Sequence, residues 1–522
     1  MKSKGNRLSR RDFLKGAATG AAGVAAVGFL GGCAPKQATP TKEVQQTTDL
    51  PANTITPPLN VTETISTDIV VVGSGISGLA AAVQAAELGA KVIVLESQAA
   101  AGGGGFGTEG IFAVGSQMAK DAGINVAPLD VIGPELEFFN YRINSLFWKD
   151  MIEASADNVD WLLQNGVLFS GVVDTYQPGA AVPTFHWWKD GKGVNYVDPM
   201  SAKAQALGAT IMFKTPAKDL VIDGGRVTGI YAAKEDGSVL QINSKAVILA
   251  SGGYAGNKQM MEERGWRNPV HLGFPGHDGD GLRMALAADA YDETPVLGGL
   301  ALWGLTGVTD MHGPLGMLGM MIGPSGIWVN ETAERYVNEN CAAVHSGVAI
   351  NALRSQNLSY MIIDSAILGK AELMSDGVTA ALEEFVVKNP DKNIYKGDSL
   401  DSLTGNIGLD PAALAATVAR YNTLCTQGKD EDFGKEAELM TALTTPPYYI
   451  MRMDFSFLTT VGAIRTNRKM QVINKSGQVI PGLYAVGTDG CELYREAYTI
   501  DKPGSANGHN VNSGRVAARN AV

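Results

Sequence analysis

One glycine-rich turn in this sequence has a residue spacing that could bind a phosphate group. The turn Gly73-Ser-Gly75-Ile76-Ser77-Gly78 follows the β-branched run Ile69–Val72 and opens an apolar helical stretch that ends near Gly89. A buried strand, a glycine turn and a helix in this order bring backbone N–H groups and the positive end of the helix dipole up to a phosphate. The pattern favours a dinucleotide cradle, with an ordinary tight turn as the alternative.

An acidic residue lies where a dinucleotide would place a ribose. The second strand, Lys91–Leu95, ends at Glu96. A carboxylate at this point can accept hydrogen bonds from both ribose hydroxyls of an adenosine, and it would repel a 2′-phosphate. The sequence therefore predicts an adenosine that carries no 2′-phosphate.

Two further glycine turns and one acid could complete the same site. The loop Gly102–Gly107 is almost entirely glycine, so its backbone could lie against a flat ring, although a merely flexible loop is the alternative. The run Ala246–Ala250 predicts a buried strand that leads into Ser251-Gly252-Gly253. Asp280 lies just before a helix predicted over 282–290, and an acid there can equally be only a helix cap.

The first 66 residues predict an export signal followed by a flexible tether. A twin-arginine pattern around Arg10-Arg11 is followed by an apolar Ala/Gly-rich run, and Leu30-Gly-Gly-Cys33 resembles the lipobox at which bacterial lipoproteins are acylated. This order favours a twin-arginine lipoprotein signal over residues 1–33, anchored through Cys33 to the outer face of the cytoplasmic membrane. A frayed helix with an incidental cysteine is the alternative. Residues 34–66, rich in Thr, Pro, Gln and Ala, predict a flexible tether.

Composition and charge restrict the possible partners. The 522 residues are 45% hydrophobic and 18% charged, which is enough chain for two domains with substantial cores. The formal net charge of −11 falls to −16 once residues 1–32, with six basic residues and one acid, are removed, so nucleic acid is not an expected partner. The other cysteines are widely spaced and no CxxCH occurs, so neither a haem module nor a metal or iron–sulfur site is predicted.

Several segments in a fixed order resemble one enzyme family. They are GSGISGLAAA, VLE, the glycine-rich loop, VILASGGYAGN, GDGLRMA, GIWVNETAERYVNE, VARYNTLCTQGKDEDFG, and VIPGLYAVG followed by SGRVAARNA. Over residues 67–522 the chain is similar to the flavoprotein subunits of fumarate and succinate oxidoreductases. It especially resembles the secreted flavocytochrome c fumarate reductases and their urocanate- and cinnamate-reducing relatives, without the haem domain.

The resemblance implies a fold class and a division into domains. The class is α/β, with a Rossmann-like FAD-binding domain built of a parallel sheet and helices. Residues 67–290 and 446–522 would form this domain, and an α+β capping domain, residues 291–445, would be inserted between them.

The resemblance also implies which residues bind FAD, which we expect to be held without a covalent link. The implied residues are Gly73, Gly75, Ile76, Ser77, Gly78, Glu96, Gly104, Gly105, Phe106, Gly107, Ala217, Ser251, Gly252, Asp280, Gly487, Thr488, Gly504, Ala506 and Asn507. The family usually has Glu where this chain has Thr488, and Asp489 follows it. Position 488 is therefore where the cofactor site departs from the family pattern.

A catalytic arginine is implied in the same way. The family pattern ILVNxxGxRFVNE matches residues 326–339 and puts Arg335 at the position of the arginine. In the family, reduced flavin gives hydride to one carbon of an activated double bond and this arginine protonates the other. A guanidinium is normally always charged, so it acts as an acid only in a dry site against a strongly basic carbanion. The alternative is that Arg335 merely pairs with Glu334 or Glu339.

Three departures separate this chain from reductases of dicarboxylates. The family's substrate-binding and substrate-serving groups fall near Leu318-Gly319, at Thr459 and around Asp501-Lys502. A carboxylate in a dry site needs a fork of donors, so fumarate is not the expected acceptor. Residues 297–328, rich in Gly, Leu and Met, favour an apolar or aromatic acceptor, although core packing explains part of that composition. His312 lies near another substrate-binding His of the family, but offset.

The segment 491–498 offers other candidates for the chemistry. Arg495 could bind a carboxylate or a carbonyl oxygen, and Tyr494 or Tyr498 could donate a proton from a phenol of tuned pKa. Such tyrosines resemble those of the 3-ketosteroid dehydrogenases in the same superfamily.

Together these features predict an exported, lipid-anchored, FAD-dependent reductase that acts on an activated carbon–carbon double bond in anaerobic electron transfer. Its electrons would come from a membrane cytochrome or a quinol-linked partner. The alternatives are dehydrogenation of a steroid-like ketone, and a non-catalytic flavin electron shuttle, which would leave Arg335 and the cap without a purpose.

Overall fold

The structure, a computed structural model, describes residues 60–176, 182–296, 298–308, 313–344, 346–389, 393–405, 407–498 and 502–522. The predicted signal, Cys33 and most of the predicted tether lie outside these residues, as do His312 and Asp501. The tether prediction was wrong for its last residues, because Val61–Ser66 forms a strand. β-Branched side chains dominate this segment, and it pairs in parallel with Val239–Asn243.

The strands of the described residues are numbered in chain order. They are β1 (Val61–Ser66), β2 (Ile69–Val72), β3 (Val92–Leu95), β4 (Gly110–Phe112), β5 (Phe169–Asp174), β6 (Phe185–Trp188), β7 (Thr210–Met212), β8 (Ala217–Asp223), β9 (Arg226–Ala233), β10 (Val239–Asn243), β11 (Ala246–Leu249), β12 (Val270–His271), β13 (Gly299–Leu305), β14 (Ile327–Asn330), β15 (Ser359–Asp364), β16 (Ile394–Gly397), β17 (Tyr448–Thr460), β18 (Gln471–Ile473) and β19 (Val479–Ala485).

The described residues also form α-helices between the strands. They are Ile76–Glu87, Gln117–Asp121, Pro128–Phe138, Ser145–Gln164, Val194–Ala206, Lys258–Glu263, Asp280–Ala287, Pro314–Ile322, Cys341–Val344, Ser346–Arg354, Ser365–Met374, Val378–Lys388, Leu400–Thr404, Pro411–Gln427 and Ser505–Ala521. None of these helices has both the length and the apolarity needed to cross a membrane.

A six-stranded sheet carries the predicted cradle. Its order is β18-β19-β11-β2-β3-β7, and the pairs from β19 to β7 are parallel. Strands β2, β3 and β11 are buried along their whole length, which explains why their sequences are unbroken apolar runs. The helices 76–87 and 505–521 pack closely, and a Cβ at Gly514 would lie 2.4 Å from the Ser77 carbonyl oxygen. The predicted α/β class with a parallel sheet and helices is confirmed.

A second sheet has four strands, in the order β1-β10-β9-β8. The short apolar runs between residues 209 and 250 predict strands over 210–213, 217–223, 226–233, 239–242 and 246–250, with a hairpin turn at Gly224-Gly225. The observed strand bounds agree with this prediction to within one residue, and the hairpin is confirmed. The sequence of residues 128–165 predicts a mostly helical region, and the structure forms two helices there, Pro128–Phe138 and Ser145–Gln164. Asn140 and Tyr141 have positive φ and separate them.

A mixed sheet is organised around the 13-residue strand β17. Its order is β12-β17-β15-β14, and β13 and β16 also pair with β17. The predicted domain boundary at residue 446 falls just before β17, so this sheet takes strands from both sides of that boundary. The last residues of β17, Leu458 and Thr459, reach the cavity described next.

Candidate active site

The turn after β2 has the geometry of a dinucleotide cradle. Gly73 has a φ of +100°, and a Cβ there would lie 2.4 Å from the Ala250 carbonyl oxygen. A Cβ at Gly78 would lie 2.0 Å from the Gly73 carbonyl oxygen, so this glycine allows the helix to pack on the turn. At Gly75 the nearest atom would be 3.8 Å away, so the space there is open. No side chain caps the helix 76–87, which leaves its first N–H groups available to a phosphate.

Glu96 lies at the carboxyl end of β3, as the sequence predicted. Its carboxylate is buried and accepts hydrogen bonds from the Ser74 amide at 2.9 Å, the Ser74 hydroxyl at 2.6 Å and the Gln98 amide at 2.8 Å. These donors fix the carboxylate beside the cradle. Because carboxylate oxygens have further lone pairs, Glu96 can still accept a ribose hydroxyl.

One cavity joins the cradle, Glu96 and the other glycine turns. Most of the predicted cofactor residues line it: Gly73, Gly75, Ile76, Ser77, Glu96, Gly104, Gly105, Gly107, Ala217, Ser251, Gly252, Asp280, Thr488, Ala506 and Asn507.

The remaining predicted cofactor residues are not in the cavity lining. They are Gly78, Phe106, Gly487 and Gly504. A Cβ at Gly487 would lie 2.4 Å from the Ser77 hydroxyl, and one at Gly504 would lie 2.6 Å from the Phe112 amide nitrogen. These two glycines therefore permit close packing behind the lining.

The lining chemistry fits FAD. Among the described residues that line the cavity there is no Lys and no Arg. The pyrophosphate would therefore be held by backbone N–H groups and the helix dipole rather than by a cation. The Glu96 carboxylate suits the ribose, and the small residues of the glycine turns suit a flat ring approached closely.

Asp489, for which the sequence indicates no role, organises one wall of the cavity. It is fully buried and accepts hydrogen bonds from the Ser251 amide at 2.5 Å, the Ser251 hydroxyl at 2.9 Å and the Gly253 amide at 3.0 Å. Burial raises the pKa of this carboxyl, and the bonds from Ser251 and Gly253 partly oppose that rise. The one signal for it in the sequence is that this acid directly follows Thr488, which the resemblance places at the cofactor.

A histidine pair was also missed. The buried ring of His277 lines the cavity, and its Nδ1 lies 3.3 Å from Nε2 of the half-buried His271. A Cβ at Gly252 would lie 2.6 Å from the His277 ring, so a glycine is needed there to make room for it. Burial lowers the pKa of His277 to about 4. The sequence showed His277 only as part of a helix start, and nothing local indicated its partner.

Arg335 lies in a buried ion cluster and does not line the cavity. Its Nε and Nη2 each lie 2.7 Å from an oxygen of Glu339, and Nη2 also lies 2.7 Å from Asp430 Oδ2. Burial disfavours the charge on Arg335, but the two carboxylates outweigh it and raise the pKa above its usual range. Arg335 thus forms the pair with Glu339 that the sequence left open as an alternative, whereas Glu334 is bonded to Thr332.

Other groups complete this cluster. The Lys435 ammonium lies 3.4 Å from Glu339, and the guanidinium carbon of Arg335 lies 5.0 Å and 5.1 Å from the ring centroids of Tyr421 and Phe433. Two cations and two carboxylates are therefore balanced within a shell of aromatic rings. This arrangement stabilises a charged guanidinium, and its remaining nitrogen, Nη1 of Arg335, is buried without a hydrogen-bond partner among the described residues.

The tyrosine candidates lie directly behind the cavity wall. The Tyr494 hydroxyl donates to Ser505 Oγ at 2.6 Å, and Ser505 precedes Ala506, which lines the cavity. The ring centroids of Tyr494 and Tyr498 are 5.0 Å apart. Burial raises the pKa of Tyr498 to about 12, against the opposing effects of the Ser505 hydroxyl and two backbone groups. Arg495 lies outside the lining and donates to the Arg142 carbonyl oxygen at 2.7 Å.

The three departures from the dicarboxylate-binding pattern are apolar or already paired. Leu318 is fully buried in the core. The Thr459 hydroxyl lines the cavity and donates to the backbone carbonyl oxygens of Gly252 and Thr460. The buried Lys502 ammonium lies 3.6 Å from Glu135.

Comparison with known proteins agrees with this geometry. The chain matches the family described as FAD binding domain over residues 68–501. It is 32% identical to vinyl phenol reductase of Lactiplantibacillus plantarum over 488 residues, 88% of this chain and 96% of that protein. It is 30% identical to fumarate reductase (cytochrome) of Shewanella frigidimarina over 440 residues, 80% of this chain and 71% of that protein.

The fold is also similar to the open conformation of a flavocytochrome c3 fumarate reductase. The TM-score is 0.67 at 24% identity, covering 88% of this chain and 78% of the other. The resemblance seen in the sequence is thus confirmed, and FAD is the cofactor.

Proposed function

Since this chain belongs to the FAD binding domain family, we propose that it reduces the activated carbon–carbon double bond of a small apolar or aromatic acceptor that is not a dicarboxylate. The coarser activity, an FAD-dependent oxidoreductase of the fumarate reductase type, is common to the relatives. When bound and reduced, FAD supplies the hydride for such a reaction. The residues of the chain bind the cofactor, exclude water and deliver the proton.

One observation carries the choice of acceptor. The described cavity lining contains no Lys and no Arg, so a dicarboxylate would meet no cation there. Thr459 and Lys502, at two of the positions where the family binds a dicarboxylate, are bonded to backbone carbonyls and to Glu135. Leu272, Phe274 and Leu458 contribute apolar surface to the same cavity. The name of the relative vinyl phenol reductase supports an aryl-substituted alkene as the acceptor class.

The proton donor in this proposal is Tyr498. Its hydroxyl interacts with Ser505 and with the backbone of Gly504 and Ala506 at the start of the helix 505–521, beside the cavity lining. A phenol at a helix N-terminus stays protonated at neutral pH, and the N–H groups stabilise the phenolate that forms when it gives the proton up. Tyr494 orients Ser505 through its 2.6 Å hydrogen bond.

This assignment replaces the sequence-based hypothesis for Arg335. An arginine can act as an acid only when its proton faces a strong base. Nε and Nη2 of Arg335 face Glu339 and Asp430, and Nη1 is buried without a hydrogen-bond partner among the described residues. We infer that Arg335 stabilises the fold around β14. Arg495, with Nη1 at 3.8 Å from Glu293, is likewise assigned to an ion pair.

Binding to the oxidised holoenzyme tests the acceptor class. An aryl alkene or aryl enoate that enters the cavity will perturb the visible spectrum of bound FAD. We expect saturable difference spectra with 4-vinylphenol or a cinnamate and none with fumarate or succinate at the same concentrations. Tight binding of fumarate would contradict the proposed acceptor.

We further propose that the protein acts in the cell envelope and takes electrons from a membrane cytochrome or a quinol-linked donor. The twin-arginine pattern, the apolar run and Cys33 support export and lipid anchoring. Metabolic labelling with palmitate should mark the wild type and not Cys33→Ala. Replacement of Arg10 and Arg11 by Lys should retain the protein in the cytoplasm, and labelled, exported double-Lys protein would contradict twin-arginine export.

A further inference from the structure

His271 and His277 form a buried pair that the proposed reaction does not yet use. His277 is 7% exposed and lines the FAD cavity, whereas His271 at the end of β12 is half-buried. Their facing nitrogens are 3.3 Å apart, so one imidazole donates and the other accepts. Cβ atoms built at Gly104 and Gly252 would lie 3.3 Å and 3.0 Å from His277 Nε2. That nitrogen therefore lies between two glycine turns of the cofactor cavity.

The pair continues toward solvent through a carboxylate. A Cβ built at Gly256 would lie 3.2 Å from His271 Nδ1 and 3.4 Å from Asp278 Oδ1, so these two groups share one side of the pair. Asp278 is exposed, His271 half-buried and His277 buried. The three side chains form a graded series from the surface to the cavity.

The charges around the pair are few. His277 is influenced by His271 and by the Leu458 backbone, and His271 by Asp278 and the same backbone. Asp280, also in the cavity lining, is the other ionisable group of this loop there. In the protein without added charge in the cavity, burial holds the pKa of His277 at about 4, and burial also lowers the pKa of His271, so the pair is neutral near pH 7. Added negative charge in the cavity would raise that pKa by Coulomb attraction.

We propose that the His271–His277 pair binds one proton when the FAD in this cavity is reduced and releases it when the FAD is reoxidised. The inference rests on FAD binding but not on the identity of the acceptor. Reduction of a flavin at neutral pH adds two electrons and one proton and leaves a negative charge in the cavity. The pair offsets that charge with a second proton taken from solvent past Asp278.

The balance of the proposed reaction agrees with this role. Saturation of a double bond consumes two electrons and two protons, the electrons arriving from the donor. One proton leaves the flavin with the two electrons as hydride and forms the first C–H bond. The second proton, which Tyr498 gives to the other carbon, is matched by the one that the histidine pair releases. Both protons would thus be taken up at flavin reduction.

The pH dependence of the flavin potential tests this inference without any acceptor. For a two-electron couple, each bound proton contributes about 30 mV per pH unit, because a tenfold change in the equilibrium constant is 29.6 mV. We expect the flavin midpoint potential of the wild-type holoenzyme to fall by about 59 mV per pH unit between pH 5.5 and 7.5. In His277→Gln, which keeps a polar side chain but cannot titrate, the slope should fall to about 30 mV.

A matched control separates this effect from the loss of any buried histidine. His186 is fully buried, its pKa is also lowered to about 4 by burial, and its Nε2 lies 2.6 Å from the Ser116 hydroxyl outside the cavity lining. His186→Gln should keep the wild-type slope. His271→Asn gives a second test if His277→Gln fails to bind FAD, and its slope should also be lower. A wild-type slope of about 30 mV, or an unchanged slope in both pair variants, would overturn the inference.

Discussion

The molecule contains two buried polar regions that are built in opposite ways. In the FAD cavity, the first N–H groups of the helix 76–87 have no side-chain cap, and no described lining residue is a Lys or Arg. In the Arg335 cluster, two cations and two carboxylates neutralise one another at distances of 2.7–3.4 Å. Donors left open indicate a ligand, whereas charges already paired indicate a structural support.

This contrast reassigns the chemistry between the two regions. The family resemblance gives the proton transfer to Arg335, whose Nε and Nη2 are bonded to Glu339 and Asp430 while Nη1 is buried without a hydrogen-bond partner among the described residues. The hydroxyls of Tyr494 and Tyr498, the other candidates, also lie outside the cavity lining, directly behind its wall. If the proposed function is correct, substitutions in the open region will change catalysis and substitutions in the paired region will change stability.

The largest expected effect is on turnover, in the open region. Removal of a general acid typically lowers the rate by about 10²–10⁴-fold. We expect Tyr498→Phe to lose turnover in this range with FAD still bound, and Tyr494→Phe to lose less, since Tyr494 acts through Ser505. Rapid-kinetic reoxidation of reduced enzyme by the acceptor measures the step.

Tyr196 provides the matched control for this prediction. It is fully buried and its hydroxyl donates to the Ile76 carbonyl oxygen at 2.7 Å, outside the cavity lining. Tyr196→Phe should reoxidise at the wild-type rate. Full activity in Tyr498→Phe would return the proton transfer to Arg335 or to Arg495.

The next effect is on stability, in the paired region. Arg335→Ala leaves Glu339 and Asp430 with one cation between them in a site where the arginine side chain is only 5% exposed. Breaking a buried ion pair from one side typically costs about 3–5 kcal/mol. Urea unfolding should show a loss of this order, while each folded, FAD-loaded molecule keeps its reoxidation rate. Normal stability with abolished hydride transfer would contradict the structural role.

Arg420 provides an exposed ion pair as the control for the buried Arg335 cluster. It pairs with Asp432 at 2.7 Å, but its side chain is 48% exposed. Arg420→Ala should therefore leave the unfolding transition unchanged within error.

Substitutions of two glycines of the cradle test its packing and its cofactor space independently. Gly78→Ala puts a methyl group into the Gly73 carbonyl oxygen and should cost about 1–3 kcal/mol of apoprotein stability. Gly75→Ala meets nothing closer than 3.8 Å, so apoprotein stability should change by less than about 0.5 kcal/mol. Its methyl group occupies the space of the cofactor, so the Kd for FAD should rise about tenfold, or about 1.4 kcal/mol. Equal FAD affinity in Gly75→Ala would place the pyrophosphate elsewhere.

The smallest effect is the acid dependence of the cluster. Burial opposes ionisation of Asp430, but the bond from Arg335 outweighs it and holds the pKa of this carboxyl below its usual range. A lowered folded-state pKa gives stability that is present above the unfolded pKa, near 4, and is lost as the pH falls below it. The wild type should lose stability more steeply than Asp430→Asn between pH 4 and pH 2.5 in urea titrations. Parallel curves would show that Asp430 is not held by Arg335.

The parts of the fold and site that were predicted correctly depend on local sequence. The cradle, Glu96 and the strands of residues 209–250 are set by runs of fewer than about ten residues, in which apolar patterning and turn glycines leave few alternatives. The placement of Ser251 near Glu96 follows, because parallel strands bring their carboxyl ends to one edge of the sheet.

The parts that were missed depend on contacts between distant segments. Arg335 meets Asp430 across 95 residues, and Asp489 reaches Ser251 across 238. The His271–His277 pair lies beside Leu458, on a strand far along the chain. No local pattern carries such information. The strand at 61–66 was missed for the related reason that its partner, β10, lies about 180 residues away.

The most direct test of the proposed function is anaerobic reoxidation of the chemically reduced, FAD-loaded protein against a panel of acceptors. The panel should span 4-vinylphenol, cinnamates, urocanate, enone steroids and fumarate. We predict rapid reoxidation by an aryl alkene, aryl enoate or enone and none by fumarate. Rapid reoxidation by fumarate would contradict the proposed acceptor class. No reoxidation by any of them, with reduction of the oxidised protein by a saturated ketone, would make the protein a dehydrogenase, and electron exchange without any organic substrate would make it a shuttle.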